Sequence, residues 1–344
     1  MLDLSVIVPV YNMAKDGNLE YCIQSLVRQT LQDMEIIAVD DASTDDSLKV
    51  LREFEERYPG RVKVIASPEN RRQGGARNLG LREAQGRYVG FMDADDWVVE
   101  DLYERMVELA KSTGADVVGT DMSRVYEHTM VPAQREVCNL PSQTGTLDHE
   151  KRKEYLLRPG PLVTKIYGRE IFFGKEFRFP EHMSFEDNAT FVEIGMRMKH
   201  FEYLPGANVF YYQREGSTTH TYDVDKCRDR MEAMRIMLKY AKENGALEEF
   251  HEVIEYQFSN LFYRNTLFSY MQGNAKKDVG FVRKLGEEMV STFPDFRQNP
   301  YYAQNVNEYE QKLINLHLKS TTAFLFTYRL KQISKKVRRK KGKQ

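Results

Sequence analysis

Apolar residues in the first hundred positions fall into short unbroken runs, each followed by a longer stretch with helical spacing. Leu4 to Val10 (Leu-Ser-Val-Ile-Val-Pro-Val) has the length and continuity of a buried parallel strand, and a helix is predicted from about Leu19 to Gln29. The pair repeats. Glu35 to Val39 reads as a strand, with a helix from about Ser47 to Tyr58 capped by Ser43 or Asp45. Val62 to Ala66 reads as a third strand, after which Asn70 to Asn78 forms a polar, glycine-bearing loop opening a helix to about Gln85. Tyr88 to Met92 is the fourth strand, with a helix starting near Glu100. Four strand-helix alternations with short links predict a parallel, doubly wound sheet.

In such sheets ligands bind outside the carboxyl ends of the strands. Each predicted end carries polar residues of little packing value: Tyr11 and Asn12, Asp40 and Asp41, Asn70 and Arg77, Asp93 to Asp96. Any one of them is explained as a cap or turn; four on one edge point to a shared pocket. At the fourth end Asp93, Asp95 and Asp96 crowd together, and a divalent cation relieves their repulsion. Oxygen-only ligands favour Mg²⁺ or Mn²⁺ over Zn²⁺, with substrate phosphates completing the shell. A solvated acidic turn is the alternative. A carboxylate after the second strand suits a base N–H or a ribose hydroxyl, while the Gly74-Gly75 backbone and Arg77 offer donors to phosphate. With a metal at Asp95 the ligand reads as a nucleoside diphosphate. The first strand is followed by Pro9-Val10-Tyr11-Asn12 rather than Gly-x-Gly-x-x-Gly, and no Gly-x-x-x-x-Gly-Lys-Ser/Thr occurs, which argues against a dinucleotide site and a P-loop.

Taken in order, Ser5 to Asn12 (Ser-Val-Ile-Val-Pro-Val-Tyr-Asn), Val39 to Asp45 (Val-Asp-Asp-Ala-Ser-Thr-Asp), Gly74 to Asn78 (Gly-Gly-Ala-Arg-Asn) and Phe91 to Trp97 (Phe-Met-Asp-Ala-Asp-Asp-Trp) resemble the successive motifs of family 2 glycosyltransferases with the GT-A fold. The resemblance implies a Rossmann-like, doubly wound mixed α/β sheet with a C-terminal helical region. It also implies an inverting, Mn²⁺- or Mg²⁺-dependent enzyme that uses a UDP-sugar. Asp41 would contact the base, Arg77 the polar groups of the nucleotide sugar, and Asp95 the metal that binds the diphosphate. Asp93 would meet ribose or the metal shell, and Asp96 the donor sugar or metal. Pro9, Tyr11, Asn12, Asn70, Gly75 and Ala94 belong to the same expected donor set.

Residues 1–100 are then the nucleotide-sugar half and 101–222 the acceptor half. The latter holds a strand at Asp116 to Thr120, an irregular stretch at about 125 to 150, and a helix beginning at Glu186-Asp187 whose apolar positions Phe191, Ile194 and Met198 keep helical spacing. Complementarity to the helix dipole accounts for two acids at that start. The family resemblance implies more: a Glu-Asp pair at the acceptor site, with Asp187 as general base and Glu186 beside it. Tyr211 to His220 resembles the family's closing motif, where Arg214 and Ser217 would touch diphosphate and His220 the metal. From 223 to 310 the stripes Met231, Met234, Leu238, Ala241 and Phe250, Val253, Ile254, Phe258, Leu261, Phe262 predict helices packed on the catalytic domain or on a second copy of the chain.

With 344 residues and 41% hydrophobic content the chain can bury a proper core. No run approaches the roughly 18 apolar residues of a spanning helix. The start of the chain carries no basic leader or cleavage site, so a cytoplasmic protein is expected. Cys22, Cys138 and Cys227 are scattered, giving neither a disulfide framework nor metal-ligand spacing. The net charge of −1 hides a split: 11 of the 50 Lys and Arg follow Glu310, the last of the 51 acidic residues. The tail 311–344 is therefore expected to meet an anionic membrane surface on the cytoplasmic face, with Leu313, Phe324, Phe326 and Tyr328 preceding the basic cluster; a helix packed on the enzyme with a disordered, solvated basic end is the alternative. Nucleic acid is not an expected partner, because the body lacks a basic and aromatic recognition motif. The acceptor would be a saccharide or a lipid-linked one. A catalytically silent nucleotide-sugar-binding subunit of a polysaccharide assembly complex is the alternative function.

Overall fold

Seven consecutive residues, Leu4–Val10, form strand β1, and every one is buried. β1 pairs in parallel with β2 (Met34–Asp40) on one edge and with β4 (Tyr88–Phe91) on the other. β3 (Val62–Ala66) lies outside β2. The remaining strands are β5 (Trp97–Val98), β6 (Val117–Val125), β7 (Gln134–Glu136), β8 (Gly145–Thr146), β9 (Lys165–Gly168) and β10 (His200–Tyr212). The main path of the sheet runs β3-β2-β1-β4-β9-β6-β10-β5, with β7 on β6 and β8 on β10. The computed structural model describes residues 2–173, 176–213, 223–273 and 276–341, with side chains described as far as Lys331.

β9 runs antiparallel between β4 and β6, while β6 and β10 are parallel. β1, β2, β3, β4, β6 and β10 therefore all finish on one edge. The order reverses between β1 and β4, which is where an open sheet of this kind accepts a ligand. β4 ends at Phe91, opposite Ile7, so β1 continues for three residues to Val10 while the chain from Met92 onward turns through Asp93 to Asp96. That turn sits in a notch in the sheet edge.

The helices of the first unit are α1 (Asn18–Val27), α2 (Ser47–Arg57), α3 (Arg72–Glu83), α4 (Leu102–Thr113), α5 (His149–Leu157), α6 (Glu170–Phe173) and α7 (Glu186–Arg197). Two expectations are sharpened, the cap of α2 and the start of α4, and two are corrected, the loop at 70–78 and the irregular stretch at 125–150. Asp45, not Ser43, accepts the N–H of Ser47 at the start of α2 (3.0 Å); the Ser43 hydroxyl accepts from Asn12 instead (3.1 Å). The polar loop predicted for 70–78 is helix from Arg72 onward. The helix placed near Glu100 starts at Leu102, because Trp97–Val98 first pairs with β10. The stretch at 125–150 is not irregular throughout: β7 and β8 extend the sheet there.

The chain divides into two compact units, residues 1–219 and 220–344. The second is helical, with α8 (Val224–Glu243), α9 (Ala246–Glu249), α10 (His251–Phe258), a π-helical segment Ser259–Asn265, α11 (Thr266–Gln272), α12 (Val279–Thr292), α13 (Pro300–Asn305), α14 (Glu308–Lys319) and α15 (Thr321–Lys341). Asp223, Asp278, Asn299 and Asn307 cap α8, α12, α13 and α14 by accepting backbone N–H groups of the first turn. The two predicted stripes are buried here, apart from Leu261, which is half-buried. The core also holds His317. Its Nε2 lies 2.9 Å from the carbonyl of Val282, which can only accept, so the neutral ring is protonated there and Nδ1 accepts from the Tyr263 hydroxyl at 2.7 Å. Among the described residues no helix is long and apolar enough to cross a membrane.

Candidate active site

The loops leaving the strand ends are tied to one another by side chains. Asn12 accepts the N–H of Thr44 through Oδ1 (2.7 Å), Ser47 accepts from Met13 (2.7 Å), and Asp45 accepts from Ala14 (3.1 Å), so the loops after β1 and β2 move as one. Asp41, 2% exposed, accepts the N–H of Arg71 (2.8 Å), and the Arg71 carbonyl accepts that of His182 (2.9 Å). Burial raises the Asp41 carboxyl above its usual range, against the pull of backbone N–H groups from Arg71 and Arg72. Among the described residues six non-glycine residues have positive φ: Asn12, Asp16, Ala42, Arg72, His182 and Phe185. All six lie in the loops after β1, β2 and β3 or in the segment before α7. Each costs on the order of 1–3 kcal/mol, and such strain gathers at functional sites.

Arg77 is the hub. Its side chain is 4% exposed and lies between the rings of Phe91 and Phe179, each centroid 5.7 Å from the guanidinium carbon. One terminal nitrogen donates to Glu186 Oε1 and the other to Asp93 Oδ1 at 3.3 Å. Arg77 was expected to reach the nucleotide sugar; the structure instead commits it to these carboxylates, and only its buried Nε lacks a partner among the described residues. Glu186, expected beside Asp187 as a catalytic group, is likewise turned inward. It is 3% exposed, and burial drives its carboxyl up while Arg77 opposes.

Asp187 stands one residue further along the first turn of α7, half-buried, with Oδ1 accepting the N–H of Asn188 (2.8 Å). Phe185, at φ 66° and ψ 33°, gives the left-handed kink that starts α7 there. Asp93 is half-buried. Burial raises its carboxyl, Arg77 lowers it, and the negative charges of Asp95 and Asp187 push it up again. Asp95 and Asp187 thus place two further negative charges on Asp93 beside Arg77, and Asp93 and Asp95 are the oxygen donors that a divalent cation completed by phosphate oxygens would use. Among the described residues His, Cys, Asp and Glu form no ready-made group of three or more that could hold a metal.

Asp96 does not join that group. It is 2% exposed, and its Oδ1 accepts the N–H of Tyr212 (3.0 Å), fastening the acidic turn to the end of β10. Gly75 is no phosphate loop. A Cβ there would meet Arg71 Cβ at 2.2 Å, and one at Gly74 would meet the Pro180 carbonyl oxygen at 2.0 Å, so both glycines let α3 pack closely. Pro9 and Ala94 are buried, Asn70 is exposed, and Tyr11 is 47% exposed beyond β1. Arg214, Ser217 and His220 lie outside the described residues.

Sequence reasoning missed the clamp on α3. The Asn78 amide donates to the Phe179 carbonyl (2.8 Å) and accepts the Phe179 N–H (3.0 Å), fixing the segment that supplies one wall of the Arg77 slot. Its signal was Pro180, which restricts Phe179 to extended backbone. Trp97 was also missed as a support. It donates from Nε1 to the Thr129 carbonyl (2.8 Å) and meets Tyr21 edge-on at 4.8 Å.

Residues 5–162 match the profile described as Glycosyl transferase family 2. EpsJ of Bacillus subtilis (strain 168), described as an uncharacterized glycosyltransferase, is 34% identical over 193 residues, 55% of this chain and 54% of that protein. This chain thus spans about half the length of that relative. GgaB of the same organism, a minor teichoic acid biosynthesis protein, is 28% identical over 222 residues, covering 63% of this chain and 24% of GgaB. Among solved structures, S. aureus TarS residues 1–349 in complex with UDP-GlcNAc superposes with a TM-score of 0.57 at 21% identity, over 90% of this chain and 78% of that one. The ordered motifs, the notched mixed sheet and these likenesses agree that residues 5–162 are a family 2 glycosyltransferase domain on the GT-A fold.

Proposed function

We propose that this protein is an inverting glycosyltransferase that moves a hexose or N-acetylhexosamine from a UDP-sugar to a saccharide or lipid-linked acceptor during cell-surface polysaccharide synthesis. The observation that carries the reading is the gathering of Arg77, Asp95 and Asp187 around Asp93 at the switch point of the sheet. A TarS structure of the same fold holds UDP-GlcNAc, and GgaB is named for teichoic acid biosynthesis; both support the substrate class and the setting.

Asp41 accepts from the base, and Tyr11 offers it an exposed ring. Asp95 and Asp93 would hold Mn²⁺ or Mg²⁺, which would supply positive charge to the diphosphate. Asp187 takes the proton of the acceptor hydroxyl as that oxygen bonds to the anomeric carbon, and the carbon's bond to the diphosphate breaks on the opposite face. One displacement inverts the configuration and requires no enzymic nucleophile. Arg77 and Glu186 hold the first turn of α7 against the acidic turn, so that Asp187 is fixed relative to Asp93.

The test is a screen of UDP-sugars for UDP release, with and without Mn²⁺ and with saccharide acceptors. Release from one donor, stimulated by metal, is expected. Binding of a UDP-sugar with neither hydrolysis nor transfer would make the protein the silent subunit instead, and no interaction with any nucleotide sugar would overturn both.

A further inference from the structure

α15 is the most unevenly charged element of the chain. From Arg329 to Lys343 nine residues are Lys or Arg, and no acid follows Glu310. The helix covers 21 residues, Thr321–Lys341. Its first turn is anchored: Phe324 is fully buried, its ring 5.1 Å from that of His317, and Leu313 and Ile314 of α14 are buried as well. The tail's apolar residues thus do two things. Phe324 packs inward, while Phe326 and Leu330 are 65% and 51% exposed. Four residues apart, they share one face of the helix, and Ile333 and Val337 continue the same spacing in the sequence.

We propose that α15 binds the surface of an anionic membrane, with Phe326 and Leu330 in the headgroup-acyl boundary and the basic residues on lipid phosphates. Nine cations without an acid call for a polyanionic partner. The exposed apolar face on the same helix selects lipid over nucleic acid, whose phosphates would engage the charges and leave Phe326 in water. Among the described residues no helix is long and apolar enough to cross a bilayer, and in α15 the basic residues from Arg329 onward end its apolar stretch, so the helix is assigned to the surface. The inference stands on the second unit alone and is independent of the reading of the site in the first.

The full-length protein is sedimented with vesicles of equimolar phosphatidylglycerol and phosphatidylcholine, and with phosphatidylcholine alone. Binding to the anionic vesicles is expected to exceed that to neutral ones by about tenfold or more and to fall steeply with salt. The double variant Phe326→Ser/Leu330→Ser and deletion of residues 332–344 should each weaken it by about tenfold, with circular dichroism unchanged in the double variant and reduced in the deletion only by the helix removed. The double variant decides if the deletion misfolds. Equal binding by the double variant and the intact protein, or equal binding to neutral and anionic vesicles, overturns the proposal. So does tight binding to duplex DNA, insensitive to the double substitution, in a protein that ignores vesicles.

Discussion

Arg77 and Glu186 form an ion pair with both side chains under 5% exposed, joining the helix after β3 to the helix that begins more than a hundred residues later. A buried pair of this kind contributes little net stability, but removing one partner strands the other charge, at about 3–5 kcal/mol. Arg77→Met should therefore destabilise the protein by about that amount, and adding Glu186→Leu should recover most of it. Denaturant unfolding of the two single variants and the double variant measures the cycle. A single-variant loss below about 1 kcal/mol would mean that the pair is solvated.

Asp95→Asn should leave the fold intact, because the substitution keeps the size and polar character of a half-buried side chain in a turn. Turnover should fall by at least ~10²-fold with loss of charge stabilisation on the leaving diphosphate. Transfer by this variant at the wild-type rate in the presence of chelator would defeat the metal assignment.

Asp187→Asn should keep UDP-sugar affinity close to wild type while lowering kcat, since the group acts on the acceptor proton. Calorimetric titration of the donor and steady-state rates separate the two. A collapse of donor affinity with kcat preserved would move Asp187 to the donor site.

His317 supplies a pH dependence in the helical unit. Burial lowers its pKa from the ordinary 6.5 to about 4, so below pH 6.5 the unfolded chain binds the proton more readily than the folded one. The contribution of the neutral ring is complete above pH 6.5 and is lost as the pH falls toward 4, up to about 3 kcal/mol. Denaturation midpoints at pH 7 and pH 4.5 should converge in His317→Gln relative to the parent, and an unchanged pH slope in that variant would assign the effect to other groups.

The four strands of the first hundred residues were legible because continuous apolar runs such as Leu4–Val10, bounded by turn residues, favour buried strands, and polar residues follow each of them. What sequence spacing could not reveal is pairing over long separations. Arg77 follows two glycines and reads as a phosphate ligand; only the arrival of Phe179, Pro180 and Glu186 from the other half turns it into a buried strut. Asp96 likewise reads as a third metal carboxylate until the N–H of Tyr212 is found on it. The start of α3 was missed because its glycines mimic a loop, while close packing against Pro180 requires Gly74 and close packing against Arg71 requires Gly75.

The position of β9 bears on how such enzymes exchange specificity. Residues 165–168 run between β4 and β6, so the part of the chain that reads as the acceptor half supplies the hydrogen-bonded neighbour of the strand that carries the acidic turn. A chimera joined near residue 100 would receive β4 with a foreign strand against Tyr88 to Gly90, and the acidic turn would inherit that mismatch. Exchanging segments on this scaffold therefore means replacing loops within the existing sheet, rather than shuffling its halves as cassettes.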